Sequence, residues 1–134
     1  MNAMKINFRF LFNVYKKYIK IEPSLKIDKY GTKKRYYNDK LYKENGSAIE
    51  YLNGDKEWWL NDKRHRINGP AIDYTNGYKA WYLNGKKHRI DGPAVEYING
   101  YKAWYLNGKK VKEEDVIIKA ILTEREYIDF VINL

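Results

Sequence analysis

Two histidines and three carboxylates recur at equal spacing in this chain, and such side chains can bind metal ions or transfer protons. His65 and His88 are the chain's two histidines, and they lie 23 residues apart. A zinc site needs three or four converging ligands, and the chain has no cysteine to complete one. We therefore expect both histidines to be structural, each flanking a tryptophan across a turn.

The carboxylates Glu50, Asp73 and Glu96 also lie 23 residues apart. An acid and a base in one active site need different environments, whereas equal positions in a repeat receive nearly equal ones. With Lys56, Lys79 and Lys102, these acids predict a row of charges that keeps a sheet soluble. No phosphate-binding glycine loop or serine nucleophile elbow is present. The prediction is a protein without enzymatic activity, cofactor, metal or small-molecule substrate.

A 23-residue unit accounts for these spacings. HRINGPAIDYTNGYKAWYLNGKK (residues 65–87) and HRIDGPAVEYINGYKAWYLNGKK (residues 88–110) differ at four positions. Residues 42–64 are an intermediate copy and residues 19–41 a worn one, as expected for the end of a stacked array. We predict three parts: a basic N-terminal helix over 1–22, the repeat array over 23–110, and a helical cap over 111–134.

Asn-Gly pairs recur in register in the copies from residue 42 onward and predict their hairpins. Asn76-Gly77 and Asn84-Gly85 are each typical of a two-residue turn with positive φ at both positions, and YKAWYL between them is rich in strand formers. The predicted fold class is mainly β: an elongated antiparallel meander or solenoid of stacked hairpins.

Two-residue turns would fix the register and therefore the faces of the sheet. Ile72 would pair with Trp81 around the first turn, and Leu83 with Lys86 around the second. We therefore predict a core built from the tryptophan face and an interaction stripe on the opposite face. The predicted core residues are Ile72, Trp81, His88, Val95 and Trp104, and the predicted stripe is Tyr78, Tyr82, Tyr101 and Tyr105.

Both ends of the chain carry helical patterns. Apolar residues from Phe8 to Ile19 follow helical spacing, although the alternation from Ile6 to Phe12 also permits a strand. At the other end, EEDVIIKAIL begins with acids that suit a helix N-terminus. Thr123 and Glu126 form a potential capping box that would open a second short helix. We expect these helices to cover the open ends of the sheet.

The net charge of +9 is unevenly distributed: +8 over residues 1–41, +4 over 42–110 and −3 over 111–134. Arg9, Lys16, Lys17 and Lys20 are candidate contacts to nucleic acid or an acidic membrane. The alternatives are that this segment packs on the first hairpin, or that the charges only solvate a tyrosine-rich sheet. No apolar stretch is long enough to cross a bilayer, so a soluble intracellular protein is expected.

The stretch YKAWYLNGKKHR resembles the MORN repeat family, whose usual copy is also 23 residues long. Ala80 and Arg89 replace two glycines of the family pattern. HRIDGPA is similar to divergent arrays in uncharacterised proteins of large DNA viruses and phages, which would place the chain in a host cytoplasm or a virion. The matching residues are Tyr78, Tyr82, Asn84, Gly85, Lys86 and His88, and Tyr101, Tyr105, Asn107, Gly108 and Lys109.

The MORN resemblance covers roughly residues 30–110 and implies an elongated hairpin sheet used as a scaffold or protein-interaction surface. A protein partner is therefore the first expectation, with end-to-end assembly of copies as a further one. WYLN is also similar to choline- and glucan-binding repeats, so stacking of sugars, choline or nucleic-acid bases on the aromatic rows is an alternative.

Overall fold

The structure is a computed structural model that describes residues 23–43 and 45–132. Short strands and tight turns account for the part up to Val111, and one helix follows. The strands are β1 (Ser24–Ile27), β2 (Lys33–Tyr37), β3 (Lys40–Leu41), β4 (Ile49–Glu50), β5 (Lys56–Glu57), β6 (Trp59–Leu60), β7 (Lys63–Arg64), β8 (Ile72–Asp73), β9 (Lys79–Ala80), β10 (Tyr82–Leu83), β11 (Lys86–Lys87), β12 (Val95–Glu96), β13 (Lys102–Leu106) and β14 (Lys109–Val111). The helix is α1 (Glu113–Ile132).

The sheet is an open antiparallel meander, as predicted. Its order is β1-β2-β4-β5-β8-β9-β12-β13-β14, and the short strands β3, β6, β7, β10 and β11 lie off this path. The strands β3, β7 and β11 each pair with the preceding strand to form an outer arm, and β14 pairs with β13 in the same way at the end of the path. Backbone hydrogen bonds link successive arms: Gly85 N–H donates to Arg64 O at 2.9 Å, and Gly108 N–H donates to Lys87 O at 2.8 Å. Each copy is thus bonded to the next along both its main strands and its arms.

The turn at Asn84-Gly85 has the predicted two-residue form. Asn84 and Gly85 have φ values of 49° and 80°, and Leu83 pairs with Lys86. These are the positive φ values of the turn that matches the natural twist of a hairpin, and asparagine and glycine adopt them at least cost. The equivalent Asn107-Gly108 turn joins β13 to β14 in the same way.

The turn at Asn76-Gly77 differs from the prediction by one residue. Ile72 pairs with Ala80, and the loop between Tyr74 and Tyr78 contains three residues. Gly77 N–H donates to Tyr74 O at 2.9 Å and Tyr74 N–H donates to Tyr78 O at 3.0 Å, while Gly77 has a φ of 85°. This is a three-residue hairpin loop that ends in a left-handed glycine. Asn76 uses its side chain to accept the Tyr78 N–H at 3.0 Å.

This one-residue shift places Ala80 and Tyr82 on the face of Ile72 and moves Trp81 to the opposite face, because side chains along a strand alternate between the two sides. The buried cluster contains Ile72, Ala80, Val95 and Ala103, each no more than 4% exposed. The prediction that the tryptophan face forms the core was therefore wrong. Ile72 and Val95 are buried as expected, whereas Trp81, His88 and Trp104 are half-buried.

Rings of tyrosine cover the small aliphatic core. Tyr74, Tyr78, Tyr82 and Tyr105 pack against the buried cluster. A single sheet has no second layer to shield its apolar face, so large rings lying over alanine and valine remove that surface from water. We call this side the alanine face, and the side that carries Trp81 the tryptophan face.

The C-terminal segment is one helix rather than the two predicted. α1 runs without a break through Thr123, whose hydroxyl donates to the carbonyl oxygen of Lys119 at 2.9 Å. A threonine inside a helix can satisfy its hydroxyl in this way, so the predicted capping box does not form. α1 packs against β13, and Val116 is only 2% exposed. The predicted N-terminal helix lies outside the described residues.

The turn glycines test the stacking of copies. Gly77 and Gly100 are equivalent and both have a φ of 85°, but a Cβ on Gly77 would lie 2.8 Å from the Cβ of Ile98, whereas Gly100 faces open space. Both alanine substitutions incur the cost of positive φ, about 1 kcal/mol. Gly77→Ala must also displace the next copy, so we expect it to cost about 1 kcal/mol more than Gly100→Ala in urea unfolding. Equal losses in the two variants would contradict this stacking.

Candidate functional site: a groove between two loops

Both histidines hold the turns of their own copies. The Nδ1 atom of His65 accepts the backbone N–H of Asn84, and that of His88 accepts the N–H of Asn107, each at 3.1 Å. Because the two bonds are equivalent, the repeated histidine is explained by local structure. Within residues 23–43 and 45–132, no three metal-ligating side chains form a group that could hold a metal ion.

The arginine that follows each histidine in the sequence stacks on a tryptophan of the preceding copy. The guanidinium of Arg66 lies 3.8 Å from the ring centroid of Trp58, and that of Arg89 lies 4.0 Å from Trp81. Such planar cation–π contacts are energetically favourable and fix the plane of the guanidinium. Glycine makes room for the side chain, since a Cβ on Gly69 would lie 3.0 Å from the Cζ of Arg66.

Each guanidinium also donates hydrogen bonds to the loop that follows the arginine in its own copy. Nη1 of Arg89 donates to Pro93 O at 3.2 Å and to Glu96 at 3.1 Å, and Nη1 of Arg66 donates to Pro70 O at 3.0 Å. Partial burial lowers the pKa of Arg66 from its ordinary value, and the nearby Asp73 opposes this shift. The loop of each copy is therefore fastened to the preceding copy by one arginine.

A groove runs between the loops of the third and fourth copies on the tryptophan face. It has a volume of about 760 Å³, and residues 65–69 and 88–91 line it together with Trp81, Leu83 and Asn84. Ile67 and Ile90 are 77% and 37% exposed. We call it the loop groove. Apolar side chains beside polar groups of fixed orientation are typical of binding sites.

A row of alternating charges crosses the sheet beside this groove. Strand pairing sets Glu50 opposite Lys56, Lys56 opposite Asp73, Asp73 opposite Lys79, and Lys79 opposite Glu96. Opposite charges directly across a ladder contribute modestly to its stability. The predicted charge row thus exists, and each acid has a lysine on either side.

A buried carboxylate that the sequence did not single out lies on the other face. Glu57 is 2% exposed and occupies the position that is Ala80 in the next copy. Its oxygens accept four hydrogen bonds, and the pairing with Arg64 is also an ion pair. The donors are Tyr74 O–H at 2.6 Å, Trp59 Nε1 at 2.9 Å, Tyr51 O–H at 3.2 Å and Arg64 Nε at 3.2 Å. A carboxylate with this many partners stabilises the fold and is not free to react.

Glu57 also changes the titration of the tyrosines that bind it. Burial and the hydrogen bond to Glu57 raise the pKa of Tyr74 far above its ordinary value. Burial and the same carboxylate raise the pKa of Tyr51. Burial also raises the pKa of Tyr78. All three phenols are therefore held in their neutral form by the folded array.

The predicted tyrosine stripe does not lie on one open surface. Tyr78, Tyr82 and Tyr105 are half-buried against the aliphatic core, while Tyr101 is 50% exposed. Tyr78 and Tyr101 instead belong to a row of contacting rings, with centroids 4.8 to 6.4 Å apart, formed by Tyr51, Tyr74, Tyr78, Tyr97 and Tyr101. A role for the stripe in partner binding stays a prediction.

The basic residues Arg9, Lys16, Lys17 and Lys20 lie outside the described residues, so their contact with an anionic surface also stays a prediction. In the described part of the chain, no helix has both the length and the apolar character needed to cross a bilayer. Comparisons of the chain with protein-family models, curated proteins and solved structures gave no match.

The Glu57 network yields a stability prediction. Glu57→Gln keeps the size of the side chain but removes its charge and replaces one acceptor oxygen with a donor. We expect it to lower the free energy of unfolding by about 2–3 kcal/mol, because buried donors are left without an acceptor. Glu50→Gln, at a partly exposed carboxylate, should cost about 1 kcal/mol or less. Urea unfolding measures both, and a larger loss in Glu50→Gln would contradict the assignment.

The raised tyrosine pKa values predict sensitivity to alkali. Above about pH 10, the ordinary tyrosine value, the unfolded chain releases phenolic protons that the folded chain retains. Stability should therefore be full below that pH and fall as the pH rises further. Tyr74→Phe should make this fall shallower, measured as unfolding midpoints alongside phenolate absorbance. The matched control is Tyr101→Phe at an exposed ring, and an equal change in slope there would contradict the prediction.

Proposed function

We propose that this protein is a non-enzymatic interaction module in which a MORN-like repeat array displays side chains to a protein partner. The repeat places equivalent groups in nearly equal surroundings, which suits a binding surface better than an acid–base pair with different pKa values. The histidines and Glu57 already have internal hydrogen-bond partners. The proposal therefore rests on displayed side chains rather than on reacting ones.

The loop groove is the single observation that favours this function most. Ile67 and Ile90 are exposed beside Arg66 and Arg89 in two loops of matching sequence. An apolar contact area next to planar donors is the usual make-up of the central part of a protein interface. The groove offers both kinds of contact within one concave surface.

Trp58 and Trp81 are less suited to binding sugars or nucleic-acid bases than open rings would be. Trp58 and Trp81 each carry a guanidinium over one ring face, so that face is already used. Stacking of a sugar or a base needs an open ring face. The stacked arginines therefore favour a protein partner over the aromatic-stacking alternatives.

Anionic-surface binding through Arg9, Lys16, Lys17 and Lys20 stays the second candidate, supported by the excess of basic residues before residue 42. The two candidates differ in their dependence on salt. Binding through phosphate contacts weakens steeply as salt rises, whereas a groove with apolar contacts retains part of its affinity. Binding to acidic vesicles or oligonucleotides that is unchanged when these four residues are neutral would remove the second candidate.

A partner-capture experiment tests the proposed function. Ile67→Asp with Ile90→Asp places two charges at the groove and should reduce capture of the partner from native lysate by about tenfold or more. The matched control is Ile117→Asp with Ile118→Asp, which changes two exposed residues of α1 that are 52% and 55% exposed. Capture is read as the amount of each co-purified protein at equal bait. Equal capture by the groove variant and the unaltered chain would contradict the groove as the interaction surface.

A further inference from the structure

The two nearly identical copies differ at four positions, and two of these changes concern one arginine. Asn68 in the third copy is Asp91 in the fourth, and Asp73 is Glu96. The other two changes, Ile72 to Val95 and Thr75 to Ile98, alter apolar volume or turn packing. Half of the variation between the copies therefore affects the acids that surround the stacked guanidinium.

The consequence is a difference in charge pairing. Arg89 forms ion pairs with Asp91 at 2.7 Å and with Glu96 at 3.1 Å. In the third copy, Asn68 carries no charge, and the shorter Asp73 does not come within ion-pair distance of Arg66. Of the four arginines in the described array, Arg35, Arg64 and Arg89 each pair with a carboxylate, and Arg66 does not.

Arg66 is nevertheless held in a fixed position. Its ring contact with Trp58 and its bond from Nη1 to Pro70 O leave Nε and Nη2 without a hydrogen-bond acceptor among the described residues. A fixed guanidinium with unused donors loses little entropy when it binds a planar anion through two parallel hydrogen bonds. Arg66 also lines the loop groove.

We propose that the loop groove binds a carboxylate side chain of an extended polypeptide segment whose neighbouring residues are neutral or apolar, and that Arg66 is its principal anchor. The carboxylate takes the place that Asp91 occupies beside Arg89 in the following copy. Ile67 and Ile90 contact the apolar parts of the same segment. The inference deepens the proposed function, because it names the chemistry of the partner.

The surroundings of the groove favour a polypeptide over a nucleic acid. Asp91 lies in the groove itself, and the neighbouring charge row alternates Glu50, Lys56, Asp73, Lys79 and Glu96. A continuous phosphodiester chain would meet these acids at regular intervals and be repelled. A polypeptide can place one acid at Arg66 and neutral or apolar residues elsewhere.

The chain itself supplies the sharpest test. Asn68→Asp introduces the aspartate that the fourth copy has at the equivalent position, so the loop should fold unchanged. The new carboxylate should pair with Arg66 and compete with a carboxylate of the partner. With the full-length protein and a fluorescein-labelled peptide that carries one glutamate among alanine and leucine residues, in low salt, we expect this change to weaken binding by about tenfold. Arg66→Gln should weaken binding to a similar extent, and Arg125→Gln, at an exposed position on α1, should not.

Thermal unfolding of each variant confirms that the fold is retained. Equal affinity of the unaltered chain, Asn68→Asp and Arg66→Gln for the peptide would overturn the inference, as would the absence of binding to the unaltered chain. Tighter binding of labelled oligothymidylate than of the single-glutamate peptide, with the same dependence on Arg66, would overturn the polypeptide as occupant. A negative result with the peptide would overturn this inference and leave the proposed function standing, because the proposed function is tested separately by partner capture with the Ile67 and Ile90 variants.

Discussion

The three-residue turn between β8 and β9, repeated between β12 and β13, is the constraint on which the rest of the structure depends. It sets Ile72 opposite Ala80 and Val95 opposite both Ala80 and Ala103, so each branched side chain faces a methyl group across the ladder. Small residues leave room for the tyrosine rings that pack against this cluster. A shift of one residue would place Trp58, Trp81 and Trp104 among these side chains instead. The tyrosine cover, the charge row and the arginine stacks all follow from this register.

The second, third and fourth copies each place a guanidinium against the loop, although it does not come from the same position of the repeat in all three. In the third and fourth copies, the guanidinium comes from Arg66 or Arg89 and stacks on a tryptophan of the preceding copy. In the second copy the equivalent residue is Lys43, and the tryptophan position before it is Arg35. Arg35 donates to Ser47 O at 3.2 Å and to Glu50 at 3.0 Å, the same contacts that Arg89 makes with Pro93 and Glu96. Two substitutions together thus preserve one interaction.

Local signals in the sequence were sufficient for the hairpins, the two-residue turns and the open meander. The same Asn-Gly pair, however, serves two turns: Asn84 adopts a φ of 49°, whereas Asn76 bonds its own loop through its side chain. A dipeptide cannot distinguish a two-residue loop from a three-residue one, and the register depends on that difference. The two turns differ in sequence at their flanks, because tyrosines flank the three-residue loop and do not flank the two-residue loop. Pairing them would have placed Ile72 opposite alanine.

Sequence patterns did not predict the contacts between side chains of different copies. The donors to Glu57 come from two copies: Tyr51, Trp59 and Arg64 from its own, and Tyr74 from the next. Glutamate at an alanine position was visible in the alignment of the copies, but its burial depends on which side chains surround it. Once the register is known, a glutamate on the buried face must find donors or destabilise the sheet. The arginine stacks were missed for the same reason, since each joins residues of two different copies.

The two ends of the sheet are unequal, and this limits how copies of the chain can join. At one end α1 packs against β13, where Val116 and Ala103 are each 2% exposed. At the other end, within the described residues, β1 pairs with β2 alone and leaves Leu25 and Ile27 52% and 60% exposed. Head-to-tail joining through a continuous sheet would require α1 to leave its place. The predicted end-to-end assembly stays a prediction, and any form of it that uses the β13 end must first displace α1.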